Sequence, residues 1–421
     1  MDKFVINGGK ILNGEAEVSG AKNASLALMP ATILTSGNTV LNNTPELNDV
    51  YTMIKLLKQL GAEINFDSHK LEINSSNIKS FFAPYEHVKK MRASVYVLGP
   101  LLARFGQAKV SMPGGCAWGP RPINLHLEGM KKLGAEIDLE EGYIIAKTKK
   151  LIGTKINFDI SSVGATGNVL MAAVLAKGTT VISNAAMEPE ITNLAEFLIK
   201  MGAKIDGINT STLTVEGVDE LQAIEFLTIP DRIEAGTLLA AAAITKGKIK
   251  LKNISSKYID AVLSKLEDCG CKLNYESNFV ELDASNTTIK PTNVVTSVFP
   301  GFPTDMQAQW ISLMSLSSGT ASITDNIYLD RFKHVPELQR LGANITVNEN
   351  TAVVKGVSKL KGAKVMSTDL RASASLVLAG LAAEGTTEVL RVYHLDRGYQ
   401  RIEEKLKLLG ADIERVAGTE F

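Results

Sequence analysis

A five-residue phrase that recurs six times is the feature that most constrains the fold of this chain. Each copy has an apolar residue, a glycine, a small residue, a polar residue and a second apolar residue, as in Leu60–Ile64. The glycines stand at positions 61, 134, 202, 270, 342 and 410, so that successive copies are 68 to 73 residues apart. A glycine after an apolar run typically ends a helix, and a β-branched residue beyond it typically opens a strand. A repeat of this length predicts six copies of a small α/β module.

A second glycine marks each repeat, at positions 37, 106, 178, 247, 319 and 385, after a run rich in Ala and Leu. Runs such as Leu170–Ala176 and Leu238–Ile244 have almost no polar face, which is typical of a buried helix. The next helix of each repeat, for example Val50–Leu60, is amphipathic and is expected at the surface. Each repeat is therefore predicted to hold a buried helix, a strand, a surface helix and two short strands. The chain as a whole is predicted to hold six βαβαββ-like units.

Length and charge narrow the class of protein. A chain of 421 residues exceeds one hydrophobic core, so the six units are expected to divide three and three near Thr228–Pro230. The 45 basic and 45 acidic residues leave no net charge, which argues against nucleic acid or an anionic membrane as the main partner. No apolar stretch has the length of a membrane span, and Met1–Phe4 does not begin a signal peptide. We expect a soluble cytoplasmic protein.

The three cysteines, Cys116, Cys269 and Cys271, have the spacing of neither a disulfide framework nor a zinc site. Histidines and cysteines are scattered along the chain, so no metal is expected. Cys269 and Cys271 lie in the repeated phrase and are interpreted as small core residues.

The first residues of the buried helices are unusually polar for helices of this kind. Ser162, Thr304 and Thr368 are residue types that favour the N-cap position, and we predict that they cap their helices. Lys22 is different because a cation opposes the dipole at a helix N-terminus. We therefore expect an anion beside Lys22, held by backbone amides and the ammonium group together.

Asp231, Arg232 and Glu234 open another buried helix, and two interpretations stay open for them. The acids can complement the helix dipole and pair with neighbouring basic residues, or they can take part in chemistry.

The loop at about 112–122 is the most irregular segment, with three glycines and three prolines. Stiff prolines between permissive glycines are typical of a lid. The loop carries Cys116 and Arg121, and a cysteine near basic groups is a candidate reactive thiol because its thiolate is favoured. No histidine is adjacent, so a Cys–His nucleophile is not indicated.

Five motifs of this chain resemble those of one family, UDP-N-acetylglucosamine 1-carboxyvinyltransferase, also called UDP-N-acetylglucosamine enolpyruvyl transferase. The resemblance runs over nearly the whole chain and includes the six-fold repeat. The motifs are Ser19–Asn23, Pro113–Cys116, Phe302–Gln309, Asp369–Ser373 and His394–Tyr399.

The resemblance implies a two-domain fold, in which each domain is an inside-out α/β barrel of three repeats. One domain is expected to span 22–229 and to carry the lid, and the other to span 1–21 plus 230–421. The implied reaction transfers the enolpyruvyl group of phosphoenolpyruvate to the 3-hydroxyl of UDP-N-acetylglucosamine and releases phosphate. It is the first committed step of peptidoglycan synthesis. No cofactor and no obligate protein partner is inferred.

The resemblance also implies the site residues. The phosphoenolpyruvate contacts are expected to be Lys22, Arg121 and Arg397, with Asn23 adjacent. The nucleotide-sugar contacts are expected to be Arg92, Arg121, Pro122, Ile123, Asn124, Leu125, Ser162, Val163, Asp305 and Ile327. Cys116 matches the catalytic cysteine of the loop, which is described as a proton donor.

Two positions depart from the family pattern. Asn124 stands where members have Asp, and Ile160 stands where some have Lys. The first change removes a carboxylate that faces the uridine, and the second removes a cation near the diphosphate. Both changes are expected to affect how the nucleotide is bound and not the reaction itself.

The chemistry assigns roles to several of these residues. Both substrates are anionic, so a local cluster of cations is expected, made of Lys22, Arg92, Arg121, Arg331, Arg371 and Arg397. Arginine suits this role because its planar guanidinium binds carboxylate and phosphate in bidentate fashion. The addition–elimination needs an acid, for which we select Cys116, and a base, for which we select Asp305 with Asp369 as the rival.

Three alternatives stay open. The sister enzyme 3-phosphoshikimate 1-carboxyvinyltransferase shares the repeats and the chemistry, although the Gly-Gly-Cys loop argues against it. A paralogue of low activity is the second alternative. A non-catalytic repeat scaffold is the third, and the charged helix ends argue against it.

Overall fold

The computed structural model describes residues 2–89, 91–112 and 123–417. Helices and strands alternate along nearly all of this length. The α-helices are α1 (Lys22–Ala31), α2 (Asn48–Leu60), α3 (Tyr85–Val88), α4 (Leu98–Phe105), α5 (Asn124–Lys132), α6 (Val163–Ala173), α7 (Pro189–Lys200), α8 (Arg232–Ile244), α9 (Asp260–Asp268), α10 (Gln307–Met314), α11 (Val335–Arg340), α12 (Leu370–Ala382) and α13 (Ile402–Leu408). Five short 3₁₀ helices are Thr32–Leu34, Arg92–Val97, Ser256–Tyr258, Thr304–Met306 and Val392–Arg397.

The strands are short, with two to six residues each. They are β1 (Asp2–Asn7), β2 (Asn13–Glu17), β3 (Asn38–Asn42), β4 (Glu63–Asp67), β5 (Lys70–Asn74), β6 (Phe82–Ala83), β7 (Gln107–Ser111), β8 (Glu136–Glu140), β9 (Tyr143–Lys147), β10 (Lys155–Asn157), β11 (Thr179–Ser183), β12 (Lys204–Asp206), β13 (Thr212–Glu216), β14 (Glu225–Leu227), β15 (Lys248–Lys252), β16 (Lys272–Tyr275), β17 (Phe279–Asp283), β18 (Val294–Thr296), β19 (Thr320–Asp325), β20 (Asn344–Asn348), β21 (Thr351–Lys355), β22 (Lys364–Met366), β23 (Thr386–Leu390) and β24 (Asp412–Ala417).

These strands form six four-stranded sheets of one design, which confirms the six βαβαββ-like units. In the repeat that contains α6 the order is β10-β11-β13-β12, with β10 parallel to β11 and the remaining pairs antiparallel. The parallel pair needs a crossover connection, and the buried helix supplies it. The surface helix then leads to the antiparallel hairpin. The sheets of the other repeats have the same mixture of pairings.

Two repeats exchange their first strands. In four repeats, the strand before the buried helix pairs with the strand after it, as β10 does with β11. However, β2 precedes α1 in sequence yet pairs in parallel with β15, and β14 precedes α8 yet pairs in parallel with β3. The chain therefore passes from one set of three repeats to the other just after β2 and returns just after β14.

The sixth repeat differs from the prediction of two successive C-terminal strands. Only β24 follows α13 in the described chain, and β1 from the N-terminus takes the place of the second strand, paired antiparallel with β23 and β24. The two ends of the described chain are thus joined in one sheet.

The chain divides into two compact units, which are Met1–Ser19 with Pro230–Phe421 (unit 1) and Gly20–Ile229 (unit 2). In unit 1 the buried helices α8, α10 and α12 pack against one another, and the sheets lie outside them. Twelve consecutive residues of α8, from Ile233 to Ile244, are buried. Because burial of one Leu or Ile side chain is worth about 1.5–3 kcal/mol, such a helix stabilises the unit although it has no polar face. Unit 2 has its own core around α1, α4 and α6.

The glycines of the repeated phrase end their helices as predicted. All six have a positive φ between 94° and 112°, and Gly61 is the left-handed C-cap of α2. A residue with a Cβ atom is strained in this conformation, which explains why glycine recurs at this point.

Candidate active site

The start of α10 in unit 1 places one carboxylate between two guanidinium groups. Nη2 of Arg331 lies 2.8 Å from Oδ1 of Asp305, and Nη2 of Arg371 lies 3.0 Å from Oδ2. Both arginines are almost fully buried, whereas the side chain of Asp305 is 28% exposed. Two cations around one anion leave a net positive charge, and they stabilise the charged form of the carboxylate. We call these three residues the carboxylate clamp.

The clamp is built from three separate elements. Asp305 lies in the 3₁₀ turn before α10, Arg371 is the second residue of α12, and Arg331 follows β19. Burial alone would lower the pKa of Arg371, but Asp305, Tyr399 and Asp231 together outweigh it and raise that pKa above the usual arginine value. Arg371 is therefore a permanent cation.

A buried acid, Asp325, fixes the segment that carries Asp305. Its carboxylate accepts hydrogen bonds from the hydroxyl of Thr304 (2.7 Å) and from the backbone N–H of Ile327 (3.0 Å). The hydroxyl of Thr304 also accepts a hydrogen bond from Nη1 of Arg331 at 3.0 Å. The predicted N-cap role of Thr304 is thus wrong, because its hydroxyl is used in this tertiary network and not on the helix amides. Ile327, a predicted contact residue, is held at the end of β19 and is 38% exposed.

Asp369 is the N-cap of α12. Its Oδ1 accepts from the backbone N–H of Arg371 (2.9 Å) and of Ala372 (3.2 Å). The prediction that Thr368 caps this helix is wrong by one residue, since its hydroxyl donates to Oδ2 of Asp369 at 3.2 Å. A carboxylate satisfies two amides where a hydroxyl satisfies one, which explains why the acid takes the cap position.

Arg397 ends the 3₁₀ helix Val392–Arg397, in the same unit as the clamp. Burial lowers the pKa of the neighbouring His394, the charges of Arg397 and Arg391 lower it further, and Asp369 opposes them. Asp369 and Arg397, which were both predicted as site residues, therefore lie within electrostatic reach of one imidazole.

Asp231 and Glu234 favour the pairing interpretation. Asp231 is the N-cap of α8 and accepts from the N–H groups of Ile233 (2.8 Å) and Glu234 (3.0 Å). Glu234 is buried and forms an ion pair with Lys405. Burial raises the pKa of Glu234, although Lys405 opposes this shift.

In unit 2, Lys22 is the first residue of α1 and lies beside a nearly buried acid. Its Nζ is 3.7 Å from Oδ2 of Asp49 in the first turn of α2, and the side chains are 13% and 6% exposed. The structure thus provides one anion for Lys22 from the chain itself, and the predicted bound anion stays a prediction. Asn23, the next residue of α1, is exposed.

The N-terminus of α6 holds two further predicted residues. Ser162 is the N-cap, as predicted, with Oγ accepting from the N–H of Ala165 at 3.3 Å. The carbonyl group of Val163 accepts from the hydroxyl of Tyr96 at 3.3 Å. Tyr96 belongs to the 3₁₀ helix that Arg92 opens, so this bond joins two adjacent repeats.

The buried His126 lies close to the same helix ends. It is 2% exposed, and Nδ2 of Asn168 lies 3.1 Å from its Nδ1. Burial, aided by the charge of Arg92, lowers the pKa of His126 to about 3, so the ring is neutral near pH 7. Arg92 is thus within electrostatic reach of the segment that begins α5.

That segment contains three predicted nucleotide contacts. Ile123 is buried at the N-cap position of α5, Asn124 is exposed as the first helical residue, and Leu125 is partly buried against the core of unit 2. Ile160 is 71% exposed. The other predicted residues of the loop, Cys116, Arg121 and Pro122, lie outside the described residues.

The two described cysteines are poor nucleophiles. Cys269 and Cys271 are buried, and burial raises their pKa values to about 11 and about 12. This agrees with their interpretation as core residues.

The sequence did not identify Asp49, Asp325 or Tyr399, each of which contacts a candidate residue or its support. Asp49 resembles an ordinary acid in the first turn of a surface helix, and its partner is known only from the tertiary structure. Asp325 ends a strand, where an Asp commonly begins a turn, and so its burial left no signal.

The described ranges contain neither a metal-binding cluster nor a membrane-spanning helix. Within residues 2–89, 91–112 and 123–417, no group of three or more His, Cys, Asp or Glu side chains is placed to hold a metal ion. Within the same ranges, no helix has both the length and the apolar character that crossing a membrane requires.

Comparisons with known proteins give the same picture over the full chain. The family model described as EPSP synthase (3-phosphoshikimate 1-carboxyvinyltransferase) matches residues 6–406. The chain is 61% identical to a UDP-N-acetylglucosamine 1-carboxyvinyltransferase from Chloroherpeton thalassium, over 100% of this chain and 99% of that protein. It is 57% identical to the protein of the same name from Pelodictyon phaeoclathratiforme, over 100% of both.

The fold also matches a solved structure. The enolpyruvyl transferase NikO from Streptomyces tendae superimposes with a TM-score of 0.90 at 23% identity, and the match covers 99% of both chains. The α/β fold built from six repeated units is thus that of the enolpyruvyl transferases.

Proposed function

The chain belongs to the UDP-N-acetylglucosamine 1-carboxyvinyltransferase family, and from this premise we propose that it transfers the enolpyruvyl group of phosphoenolpyruvate to the 3-hydroxyl of UDP-N-acetylglucosamine, with release of phosphate. The observation that carries the proposal is the identity of 55–61% to relatives of that name over the whole chain. We propose further that units 1 and 2 are the two domains of the family's fold.

The charges of the described residues support this assignment. Under the proposal, Lys22, Asn23 and Arg397 bind phosphoenolpyruvate together with Arg121. The nucleotide sugar is bound by the contacts predicted from the sequence, among them Arg92, Ser162, Val163, Asp305 and Ile327. Lys22 and Arg92 open helices whose N-terminal amides also favour anions, which suits two substrates that both carry phosphate.

The reaction is an addition followed by an elimination at the vinyl carbon. In the addition, the 3-hydroxyl oxygen attacks the carbon that bears the phosphate ester, while the methylene carbon takes a proton. We assign that proton to Cys116 and removal of the hydroxyl proton to Asp305. Loss of a proton from the new methyl group and departure of phosphate then restore the double bond.

Asp369 is the rival base, and its geometry weakens its claim. Oδ1 of Asp369 accepts hydrogen bonds from two backbone N–H groups, and Oδ2 accepts one from a hydroxyl group. The residue is 9% exposed. Asp305 is more exposed, and its two arginine partners are cations that can instead bind the negative charge of a substrate. We therefore retain Asp305 as the base and Arg371 and Arg331 as its supports.

The cellular role follows from the reaction. The product would be the first committed precursor of peptidoglycan, which places the protein in cell-wall biogenesis, cell shape and cell division in the cytoplasm. The family's covalent inhibitor fosfomycin would then act on this protein.

The proposal is tested by product formation with purified protein. Phosphate release and the mass of the product are followed with phosphoenolpyruvate and either UDP-N-acetylglucosamine or 3-phosphoshikimate as acceptor. We expect the enolpyruvyl product from the nucleotide sugar alone. A product from 3-phosphoshikimate would support the sister activity, and product from neither acceptor would contradict an active transferase of this class.

A second measurement concerns the reactive thiol. Fosfomycin should modify Cys116 and leave Cys269 and Cys271 unmodified, because burial raises the pKa of both of these thiols and keeps them from the reagent. Peptide mapping after treatment checks this, and the presence of nucleotide sugar should speed the labelling. Substitution Cys116→Asp should abolish labelling and retain turnover, since a carboxylic acid also donates a proton. An adduct on Cys269 or Cys271 with Cys116 unmodified would rule out this assignment.

A further inference from the structure

The ring of Tyr399 lies against the clamp, where it is 1% exposed. The guanidinium carbon of Arg371 is 5.3 Å from the centre of this ring, a cation–π contact. Burial raises the pKa of Tyr399, and although Arg371 opposes this shift the phenol stays neutral. A buried phenol needs hydrogen-bond partners, since an unpaired hydroxyl would be costly.

The hydrogen bonds of that hydroxyl have a fixed direction. The hydroxyl of Thr237 donates its one hydrogen to the carbonyl oxygen of Ile233 at 2.7 Å. Tyr399 must therefore be the donor in its 2.9 Å contact with Oγ1 of Thr237. The oxygen of Tyr399 in turn lies 3.2 Å from Nε2 of Gln309, and it shares one hydrogen of that amide with Oγ1 of Thr237.

Gln309 connects this hydroxyl to the turn that carries Asp305. Its Nε2 lies 2.9 Å from the backbone carbonyl oxygen of Asp305 and 3.0 Å from Oγ1 of Thr237. The carbonyl oxygen only accepts, so the amide nitrogen must face it. We call Thr237, Gln309 and Tyr399 the tyrosine brace, and it ties α8, α10 and the segment before α13 to the clamp.

Arg371 itself has few other restraints. Its Nη2 binds Asp305, whereas its Nη1 is buried and has no hydrogen-bond partner among the described residues. The ion pair at Nη2 leaves the guanidinium able to turn about that contact unless a second neighbour restrains it. In the described chain, the ring of Tyr399 is a second neighbour of this guanidinium group, with its centre 5.3 Å from the guanidinium carbon.

We propose that Tyr399 is a positioning residue for the transfer reaction. It holds the plane of Arg371, and through Arg371 and Gln309 it holds Asp305 where the substrate hydroxyl must meet it. This inference rests on the proposed function, because Asp305 acts as the base only in that reaction. It assigns Tyr399 no contact with substrate.

The test compares graded variants of one position. Tyr399→Phe keeps the ring and removes the hydroxyl, and Tyr399→Leu also removes the cation–π contact. We expect kcat to fall about tenfold for Phe and about a hundredfold for Leu, at nearly unchanged KM for phosphoenolpyruvate. The reason is that a misplaced charged hydrogen bond destabilises the transition state but leaves the binding of that substrate unchanged. The matched control is Tyr275→Phe, an exposed tyrosine of unit 1 that should keep its kcat.

A double-mutant cycle separates positioning from simple loss of structure. If Tyr399 acts through Arg371, Tyr399→Leu should lower kcat much less in an Arg371→Lys background than in the wild type. The midpoint of urea unfolding is measured for the same four proteins, with and without substrate. It should show coupling between the two positions in both conditions. Additive effects on both quantities would overturn the inference, as would a kcat for Tyr399→Phe equal to that of the wild type. Wild-type protein that makes no enolpyruvyl product would overturn the proposed function and the positioning role with it.

Discussion

The two units have one architecture but differ in the acidic residues at the starts of their buried helices. In unit 1, each start has an acid, namely the N-caps Asp231 and Asp369 and the first-turn residue Asp305. In unit 2, the corresponding N-cap positions hold Ala21, Met91 and Ser162, and none of these three described helix starts has an acid in its first turn. The cations Lys22 and Arg92 are the first helical residues of two of them.

This difference shows that a repeated fold leaves the helix ends open to specialisation. A helix N-terminus carries roughly half a positive charge, which an anion stabilises. Unit 1 supplies that anion from its own side chains. In unit 2, Lys22 and Arg92 begin their helices with no acid in the first turn. Of these three starts, only that of α6 has a side-chain cap, which is the hydroxyl group of Ser162. We infer that the helix starts at Lys22 and Arg92 in unit 2 are suited to bind phosphate groups of substrates, whereas the start at Asp305 in unit 1 is suited to accept a proton.

The acids at the helix starts of unit 1 should differ in their effect on the reaction, and loss of Asp305 should have the largest effect. Asp305→Asn should lower the single-turnover rate by about 10²–10⁴-fold, because a positioned base contributes that much. Asp369→Asn should lower it less, since the amide oxygen still accepts from the backbone N–H groups of α12 and keeps the cap. Both rates are measured by rapid quench with saturating substrates.

The control for these variants is folding. Asp305→Asn leaves two buried arginines around a neutral side chain, so thermal unfolding must be measured alongside the rate. Small and equal losses of rate in both variants would remove both acids from the role of base. The acids at the helix starts of unit 1 would then be interpreted as residues that stabilise the helix ends and take no part in proton transfer.

Much of the fold could be predicted from the sequence because its signals are local. The six glycines at helix ends, the buried runs such as that of α8 and the cap at Ser162 depend on neighbouring residues alone. The exchange of β2 and β14 has no local signal, since each pairs with a strand more than 180 residues away. Only the domain bounds implied by the resemblance pointed to it. The role of β1 in the sixth sheet has the same cause.

The candidate site shows the same limit. The motif around Asp305 pointed to a chemical role, but its two partners come from segments 26 and 66 residues away, and the brace behind it was not anticipated. Thr304 and Thr368 were wrong as caps because propensity identifies a residue type that can cap. It does not reveal that Asp325 and Asp369 take those hydroxyl groups for other bonds. Which residues touch substrate stays a prediction.

The two units share one feature, a buried histidine that makes stability depend on pH. Each has a buried imidazole near a site arginine, His126 with Arg92 in unit 2 and His334 with Arg331 in unit 1. Burial, aided by the arginine, lowers the pKa of each to about 3. Between pH 6.5 and about 3 the unfolded chain therefore binds protons that the folded chain does not. The free energy of unfolding should thus fall as the pH falls through this window, by about 2 kcal/mol per histidine at pH 5 relative to pH 7.5.

Urea unfolding at pH 7.5 and pH 5 checks this. His126→Gln and His334→Gln should each reduce the loss of stability between the two pH values by about 2 kcal/mol. His69→Gln, at an exposed position, is the control and should leave the loss unchanged. If only one of the two substitutions reduced this loss, the two histidines would not share the same role in stability, and the prediction would be contradicted.

The smallest expected effect gives unit 2 a feature of unit 1. Ala21 is the N-cap of α1, with an extended backbone (φ −70°, ψ 120°) that suits a capping side chain, and it makes no side-chain cap hydrogen bond. Ala21→Ser should stabilise the protein by about 0.5–1 kcal/mol, because its oxygen accepts a backbone N–H of the first turn.

The same hydrogen bond occupies an amide that we assign to an anionic substrate, so KM for phosphoenolpyruvate should rise about twofold. Ser162→Ala, the reverse change at α6, should cost about 1 kcal/mol. Urea unfolding and steady-state kinetics measure both effects. A more stable Ala21→Ser protein with unchanged KM would mean that the open end of α1 is an uncapped helix and no part of an anion site, and the contrast between the units would then be one of stability alone.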